Sequence, residues 1–522
     1  MMFHISTVSN SEISSLRLDA EFYHPEYIDN EVKLERFLLE KLDDLRCKQN
    51  PIVYGILKPE GKSQKYKVIK AENFDNMFVD PENCQFISSE TYHNFKRSFV
   101  QAGDILIAIG GYVGRPAIVL KHNNILCNIN RHVARLRINS NLVNSYYVTA
   151  YLSCSIGQKA LTRQITGSVQ SGINLEDLRK VPIPILKHTA QKYIGDKVRQ
   201  AEQLRISTKQ TKEMIHLSLK NFFAGIPKPT KNISLKISKN NLSSNRLEAE
   251  YYSSISLWAE NEIKHGPFPY KPLKDIVLRI KDGPGGWGVS TEDYTENGIP
   301  VIRTVNIIDG ECDLSNCIFI SEKKHHELST HKAKKGSVVL SVRGTIGRAA
   351  VFKDETYREA SLNAAVVTID CSDQIIPGYL VEFFNSEVGS TQSNRIANGA
   401  VQKNMNLEET GSNLITVPPL AIQIKIARLH ELRINQKRYA SRLILSAKLI
   451  VEGLIEGQIT EQQIIDAQNA LEAGDNSLDR DILSKITNKG IDKDGKPLFH
   501  DIDKLYDLLQ ESQEAYERKD NE

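Results

Sequence analysis

Two sets of side chains in this chain could act on a charged, aromatic ligand. Cations flank glycine-marked turns: Lys96 and Arg97, Arg115, Arg131, Lys334 and Lys335, Arg343 and Arg348. Such groups suit phosphate contact, although a solvated surface carries the same charges. The second set is amides, namely Asn130, Gln170, Asn363, Gln402 and Asn404. Forked amides match an adenine edge, as arginine matches guanine. Asn130 and Asn363 equally suit fixing a turn, because asparagine bonds its own backbone well. Trp287, in the loop Gly283–Gly288, suits wedging or stacking on bases, or tucking into its own domain.

Other chemistries find no support. Gly283-Pro284-Gly285-Gly286-Trp287-Gly288 spells G-x-G-x-x-G, but Pro284 interrupts the phosphate turn and no amphipathic helix follows, so no dinucleotide site is expected. His325-His326 lies beside Lys323-Lys324 without further ligands at metal spacing, and reads as a basic segment facing solvent or a polyanion. The 7 cysteines contain no C-x-x-C pair, so zinc is not expected and reduced thiols on or beside strands are. No G-x-x-x-x-G-K-[ST] is present, and Val417-Pro418-Pro419-Leu420 lacks the Asn and aromatic of an amino-methyltransferase. No acid pair with a nearby lysine in a strand suggests a nuclease. No catalytic residue, metal or bound cofactor is therefore assigned.

The elements that position these residues come twice. Arg17-Leu18-Asp19-Ala20-Glu21-Phe22-Tyr23 returns as Arg246-Leu247-Glu248-Ala249-Glu250-Tyr251-Tyr252. Phe86-Ile87-Ser88 returns as Phe319-Ile320-Ser321, and Gly103 to Arg115 as Gly336 to Arg348. Gly167-Ser168-Val169-Gln170 returns as Gly399-Ala400-Val401-Gln402. Order and spacing persist across the segments, so the chain is a duplication of a domain-sized unit.

Each copy runs from a polar, partly helical opening through short β-rich runs, such as Asp104 to Ile109 and Val338 to Val342. A short helix follows, with Asn174 and Asn406 as N-caps and Asp177 and Glu409 three residues on. A Pro-bearing stretch then enters a long helix. The second, after Pro418-Pro419, keeps Leu429, Leu432, Gln436, Tyr439, Leu443, Ala447, Ile450 and Leu454 at a spacing of three to four. The first has Ile194, Val198, Ala201 and Leu204, then Ile215, Leu219 and Phe222, around a polar middle with Thr208 and Thr211. The stripes can pack on their own domains or pair with each other.

The 522 residues and net charge of +3 fit a two-domain globular chain. From Gly457 to Glu522, 8 Lys and Arg face 16 Asp and Glu, so the body before it carries the positive surplus. Met1–His4 opens no basic start with an apolar core behind it, and no run reaches the ~18 apolar residues of a membrane span, so a cytoplasmic protein without membrane contact is expected.

At Gly336-Ser-Val-Val-Leu-Ser-Val-Arg343-Gly344-Thr345-Ile346-Gly347-Arg348, and at Asn404-Met405-Asn406-Leu407 through Val417-Pro418-Pro419-Leu420-Ala421-Ile422-Gln423, the chain resembles the specificity subunits of type I restriction–modification systems. The likeness covers about residues 12 to 456. The first copy departs from it, with Gly110-Gly111-Tyr112 for Arg343-Gly344-Thr345.

The resemblance implies an α/β (α+β) fold: two tandem pseudo-symmetric target-recognition domains joined by two long antiparallel helices, plus a helical C-terminal extension. The expected boundaries are 1–188 for the first domain, 189–225 for the first helix, 226–418 for the second domain, 419–457 for the second helix and 458–522 for the acidic extension. It implies that each domain reads one half of a split double-stranded DNA target. DNA methyltransferase subunits, which carry the S-adenosylmethionine, and a translocating restriction subunit are the implied partners. A helix of about 30 residues is ~45 Å long, which suits domains one DNA turn apart. Two other readings stand beside this one: a standalone DNA-binding or scaffold protein, and an enzyme with an unrecognised nuclease site. The extension suits a docking element, a cover for basic surface, or a solubilising cap.

Overall fold

The structure, a computed structural model, describes residues 13, 17–61, 63–120, 126–167, 171–233, 235–238, 242, 246–285, 288–399 and 402–520. It divides into two units, Met1–Arg205 with Arg438–Glu522, and Ile206–Lys437. The division cuts both long helices near their middles.

The first unit is built on six strands: β1 (Val53–Tyr54), β2 (Phe74–Asp75), β3 (Phe78–Val79), β4 (Ile105–Ala108), β5 (Pro116–Ile118) and β6 (Val133–Leu136). Their order in the sheet is β1-β6-β4-β5-β3-β2. The second unit repeats it with β7 (Val277–Asp282), β8 (Ile307–Ile308), β9 (Gly310–Cys312), β10 (Val338–Ser341), β11 (Ala349–Val351) and β12 (Val366–Cys371), in the order β7-β12-β10-β11-β9-β8. In both, only the pairing of the third strand with the fifth (β3 with β5, β9 with β11) is parallel within this sheet. The central strands β4 and β10 are buried along their whole length, which is why they read as unbroken apolar or small-residue runs rather than alternating ones. The duplication therefore extends to strand order and register.

Short helices carry the caps that the sequence predicts. Asn174 accepts from the Asp177 N–H at 2.8 Å, and Asn406 accepts from the Glu409 N–H at 2.8 Å. Glu409 returns the bond to the Asn406 N–H, also at 2.8 Å. The long helices are α1 (His188–Lys220) and α2 (Leu420–Glu456). A glutamine pins each near its start. Gln191 accepts from the Asn144 N–H (2.8 Å) and donates to the Leu186 carbonyl (2.7 Å). Gln423 accepts from Ile376 (3.0 Å) and donates to Pro418 (2.9 Å).

The apolar stripe of α1 divides between the units. Ile194, Val198, Ala201 and Leu204 are buried in the first. Ile215, Leu219 and Phe222 join the core of the second, with Trp258, Tyr379 and Ile426 of α2. The end of α1 thus packs on the copy that follows it, beyond its own domain. There Thr211 donates to Gln436 of α2 at 3.1 Å, so the polar middle is where the two helices hydrogen-bond.

The extension folds as α3 (Glu461–Glu472), α4 (Ser477–Lys485), a small hairpin and α5 (Ile502–Asp520), and belongs to the first unit. Asp479 is 1% exposed and is held at 2.6 Å by Lys197 of α1, itself 1% exposed. Tyr193 and Tyr506 each donate to the same carboxylate at 2.5 Å. Burial alone would raise this carboxyl; Lys197 and the two phenols hold it below its usual range. The acidic segment is thus anchored through a buried charge, beyond what a loose cap requires. No helix among the described residues is long and apolar enough to cross a membrane.

Candidate nucleic-acid interface

The glycine turns join β4 to β5 and β10 to β11. Gly114 and Gly347 have φ of 86° and 84°, a region that favours glycine. The turn closes the same way twice: Gly114 N–H donates to Ala108 at 2.8 Å, and Gly347 N–H to Ser341 at 2.9 Å. Arg115 and Arg348 follow on the rim, both exposed. Arg115 stacks over Tyr112 at 5.1 Å. It also lies near α2, where burial foremost, with a lesser push from Arg115, holds Lys448 below its ordinary range.

In the second unit this turn meets the segment after Gly399. Arg343 donates through Nε to Asn404 Oδ1 at 3.1 Å, and the two backbones form an isolated bridge. Gln402 is exposed two residues away. The first unit bridges Gly110 to Gly172 instead, without side chains at either place. Lys334 and Lys335 are exposed at the end of an antiparallel strand, Lys332–Lys334, where Lys335 N–H donates to Arg358 at 2.9 Å. Gln170 and Trp287 lie outside the described residues.

Asn130 and Asn363 fix turns. Asn130 Oδ1 accepts from the His132 N–H and Asn363 Oδ1 from the Ala365 N–H, both at 3.1 Å. Among the described residues the amide nitrogens of both side chains have no hydrogen-bond partner, while the oxygens are committed. His325, in the short helix Glu322–Glu327, is a correction: it is 5% exposed and bonds Ser361 at 2.7 Å, so it is a packed core histidine, while the basic surface of that helix is left to its neighbours.

Lys96, Arg97, Asn130 and Arg131 gather at one edge of the first unit. The Asn130 carbonyl accepts from Gly55 at 3.1 Å, and Arg131 N–H donates to Ile56 at 2.8 Å, so this loop fastens the chain leaving β1. A Cβ on Gly55 would stand 1.7 Å from the Ile129 carbonyl oxygen, which explains a glycine there. Beyond it opens a groove of about 840 Å³ lined by Tyr54, Leu57, Phe95, Lys96, Arg97 and Arg179, among others. Sequence reasoning missed Tyr54, Leu57, Phe95 and Arg179, which come from segments far apart in the chain. Among the described residues no group of His, Cys, Asp and Glu could hold a metal ion, and all 7 cysteines are free thiols.

Residues 56–217 match the family model described as the type I restriction modification DNA specificity domain. The type I restriction enzyme EcoBI specificity subunit of Escherichia coli is 29% identical over 164 residues, 31% of this chain and 34% of that protein. The chain thus matches about a third of that relative's length. Among solved structures, the S subunit of a type I restriction-modification system from M. genitalium is 13% identical, with a TM-score of 0.41 over 81% of this chain and 96% of that one. The HsdS subunit from Thermoanaerobacter tengcongensis is 14% identical, with a TM-score of 0.27 over 81% and 98%. Residues 56–217, which hold most of the first copy and much of α1, are thus similar to the type I restriction modification DNA specificity domain.

Proposed function

We propose that this chain is the DNA-reading, non-catalytic specificity subunit of a type I-like complex, with each unit reading one half of a two-part target. The observation that carries the reading is the match of the specificity-domain family to the first copy, joined to the same six-strand order in the second. Two similar but unequal readers fit a target with two different halves. The differing turns, Gly110-Gly111-Tyr112 and Arg343-Gly344-Thr345, supply the inequality. Exposed cations around those turns supply the charge for phosphate contact. Each long helix gives one half to each unit, a partition that suits helices running in opposite directions as a spacer. In this reading methyltransferase subunits bring S-adenosylmethionine and the chemistry, and a translocating restriction subunit completes a restricting complex.

Genome-wide methylation mapping tests it, in cells carrying this gene with a neighbouring methyltransferase gene against cells lacking it. A split motif with a fixed gap, methylated only when this protein is present, is the expected result. Unchanged methylation would reject the methyltransferase partnership.

A further inference from the structure

The groove at the edge of the first unit has a composition that the fold does not require. Tyr54, Leu57 and Phe95 are large apolar side chains left 52%, 59% and 38% exposed around it. Lys96 and Arg97 lie beside them, and among the described residues neither side chain has a hydrogen-bond or ion-pair partner. Arg179 is held at the wall by the Ile52 carbonyl at 3.2 Å and Asp43 at 3.7 Å. Among the described residues no carboxylate lines the groove.

The second copy is an internal control. Strand register puts Tyr54 opposite Ala134 and Asp282 opposite Val367, equivalent places in the two sheets. Aligning Phe86-Ile87-Ser88 with Phe319-Ile320-Ser321 sets Leu328, Ser329 and Thr330 against Phe95, Lys96 and Arg97. The copy thus exchanges an aromatic for a carboxylate, another for leucine, and two cations for hydroxyls. The same fold does without the groove's chemistry, so the fold does not impose that chemistry on the first unit.

We propose that this groove binds a single nucleotide, its base stacked on Tyr54 and Phe95 and its phosphate held by Lys96 and Arg97. Aromatic faces accept any base, and unpaired cations beside them neutralise the phosphate. The nucleotide can be a free monophosphate or one swung out of a DNA strand. The second source deepens, and rests on, the DNA-reading role proposed above.

The full-length chain is titrated with 2-aminopurine deoxyribonucleoside monophosphate, with a duplex carrying one unpaired 2-aminopurine nucleotide, and with the same duplex fully paired. Saturable quenching by the free probe identifies a free nucleotide. Tighter binding of the unpaired than of the paired duplex identifies one swung out of DNA. In either case Tyr54→Ala and Lys96→Ala with Arg97→Ala should weaken binding about tenfold, and Tyr54→Phe should keep it. Thermal melts check that the variants fold, which their exposed positions favour. The inference is overturned if neither probe is preferred, or if binding is the same in wild type and in the folded variants. Equal binding of both duplexes, with no saturable quenching of the free probe, would leave DNA reading intact while removing the groove. Loss of all duplex binding would remove DNA reading, with the free probe still deciding the groove.

Discussion

The guanidinium of Arg163 lies 4.1 Å from the centroid of the Phe22 ring, and its Nε donates to the Phe22 carbonyl at 2.9 Å. Arg17 covers the same ring at 4.4 Å. The second copy rebuilds this sandwich with Arg395 and Arg246, at 4.0 and 4.6 Å from Tyr251. Tyr23 and Tyr252 close each motif by donating to the Arg17 and Arg246 carbonyls, at 2.8 and 2.7 Å. The repeated segment therefore ties the opening of each copy to a helix more than a hundred residues on. Phe22→Ala should destabilise the first unit by about 1–3 kcal/mol, from lost cation–π contact and packing. Tyr251→Ala should do likewise in the second. Urea unfolding of the full chain, followed by a probe in each unit, checks whether each loss stays in its own unit.

What was legible follows from how local each interaction is. Asn174 and Asn406 were readable as caps because a cap bonds a donor three residues away. Strands β4 and β10 were readable because burial on both faces leaves an unbroken run. The Arg17 and Arg246 motif was visible as a repeat, but its purpose was not, because the partners Arg163 and Arg395 are distant in sequence. His325 read as surface because its neighbours are lysines, and only the fold brings Ser361 to it. The groove gathers Tyr54, Phe95 and Arg179 from separate segments, so no local pattern announced it. The exposed Lys96, Arg97, Arg131 and Arg343 stood out through charge alone, which does not separate a ligand contact from a solvated surface.

The Lys197–Asp479 pair makes the extension part of the first unit. Asp479→Asn leaves Lys197 buried without its counter-charge, and breaking such a pair costs about 3–5 kcal/mol. The folded carboxyl lies below its unfolded value. Its contribution is therefore full above an unfolded pKa of about 3.9 and is lost as pH falls through the lower folded value. Stability measured by denaturant between neutral pH and about pH 3 should fall more steeply in wild type than in Asp479→Asn. Parallel curves would reject the buried charge as the anchor.

Arg433 is the corresponding clamp in the second unit, and is 2% exposed. It reaches Asp309 at 2.8 Å and Glu382 at 2.7 Å, while His430 holds the same Glu382 oxygen at 2.6 Å. Burial opposes the Glu382 charge, but His430 and Arg433 keep its carboxyl below the usual range. Arg433→Ala should cost about 3–5 kcal/mol, because Glu382 is left buried with one fewer partner. Arg433→Ala with Glu382→Ala should cost less than the two single losses added together. A double-mutant cycle in urea reads the difference, and strict additivity would show that the pair is not coupled.

Lys96 and Arg97 should act on affinity rather than on sequence preference. A cation on phosphate releases about one counterion, so its loss flattens the slope of log K against log salt by roughly 0.9 for B-form DNA. Lys96→Ala should therefore weaken matched and mismatched duplexes alike, most at low salt. Binding titrations between about 50 and 200 mM salt resolve this. An unchanged slope would return Lys96 to the solvated surface.

If each unit reads one half of a target as proposed, Arg343 and Asn404 are the pair expected to choose bases in the second half. Their bond of 3.1 Å orients the Arg343 guanidinium from an exposed turn, and among the described residues its other nitrogens have no partner. Arginine paired to a guanine edge is worth about 1–3 kcal/mol of discrimination. Asn404→Ala should loosen that orientation, and Arg343→Ala should remove the donor. Methylation mapping of either variant should then show relaxed choice at one position in one half-site, with the other half and the gap unchanged. Change in both halves would mean that the substitution acts on assembly, and a uniform loss of methylation would assign Arg343 to phosphate contact instead.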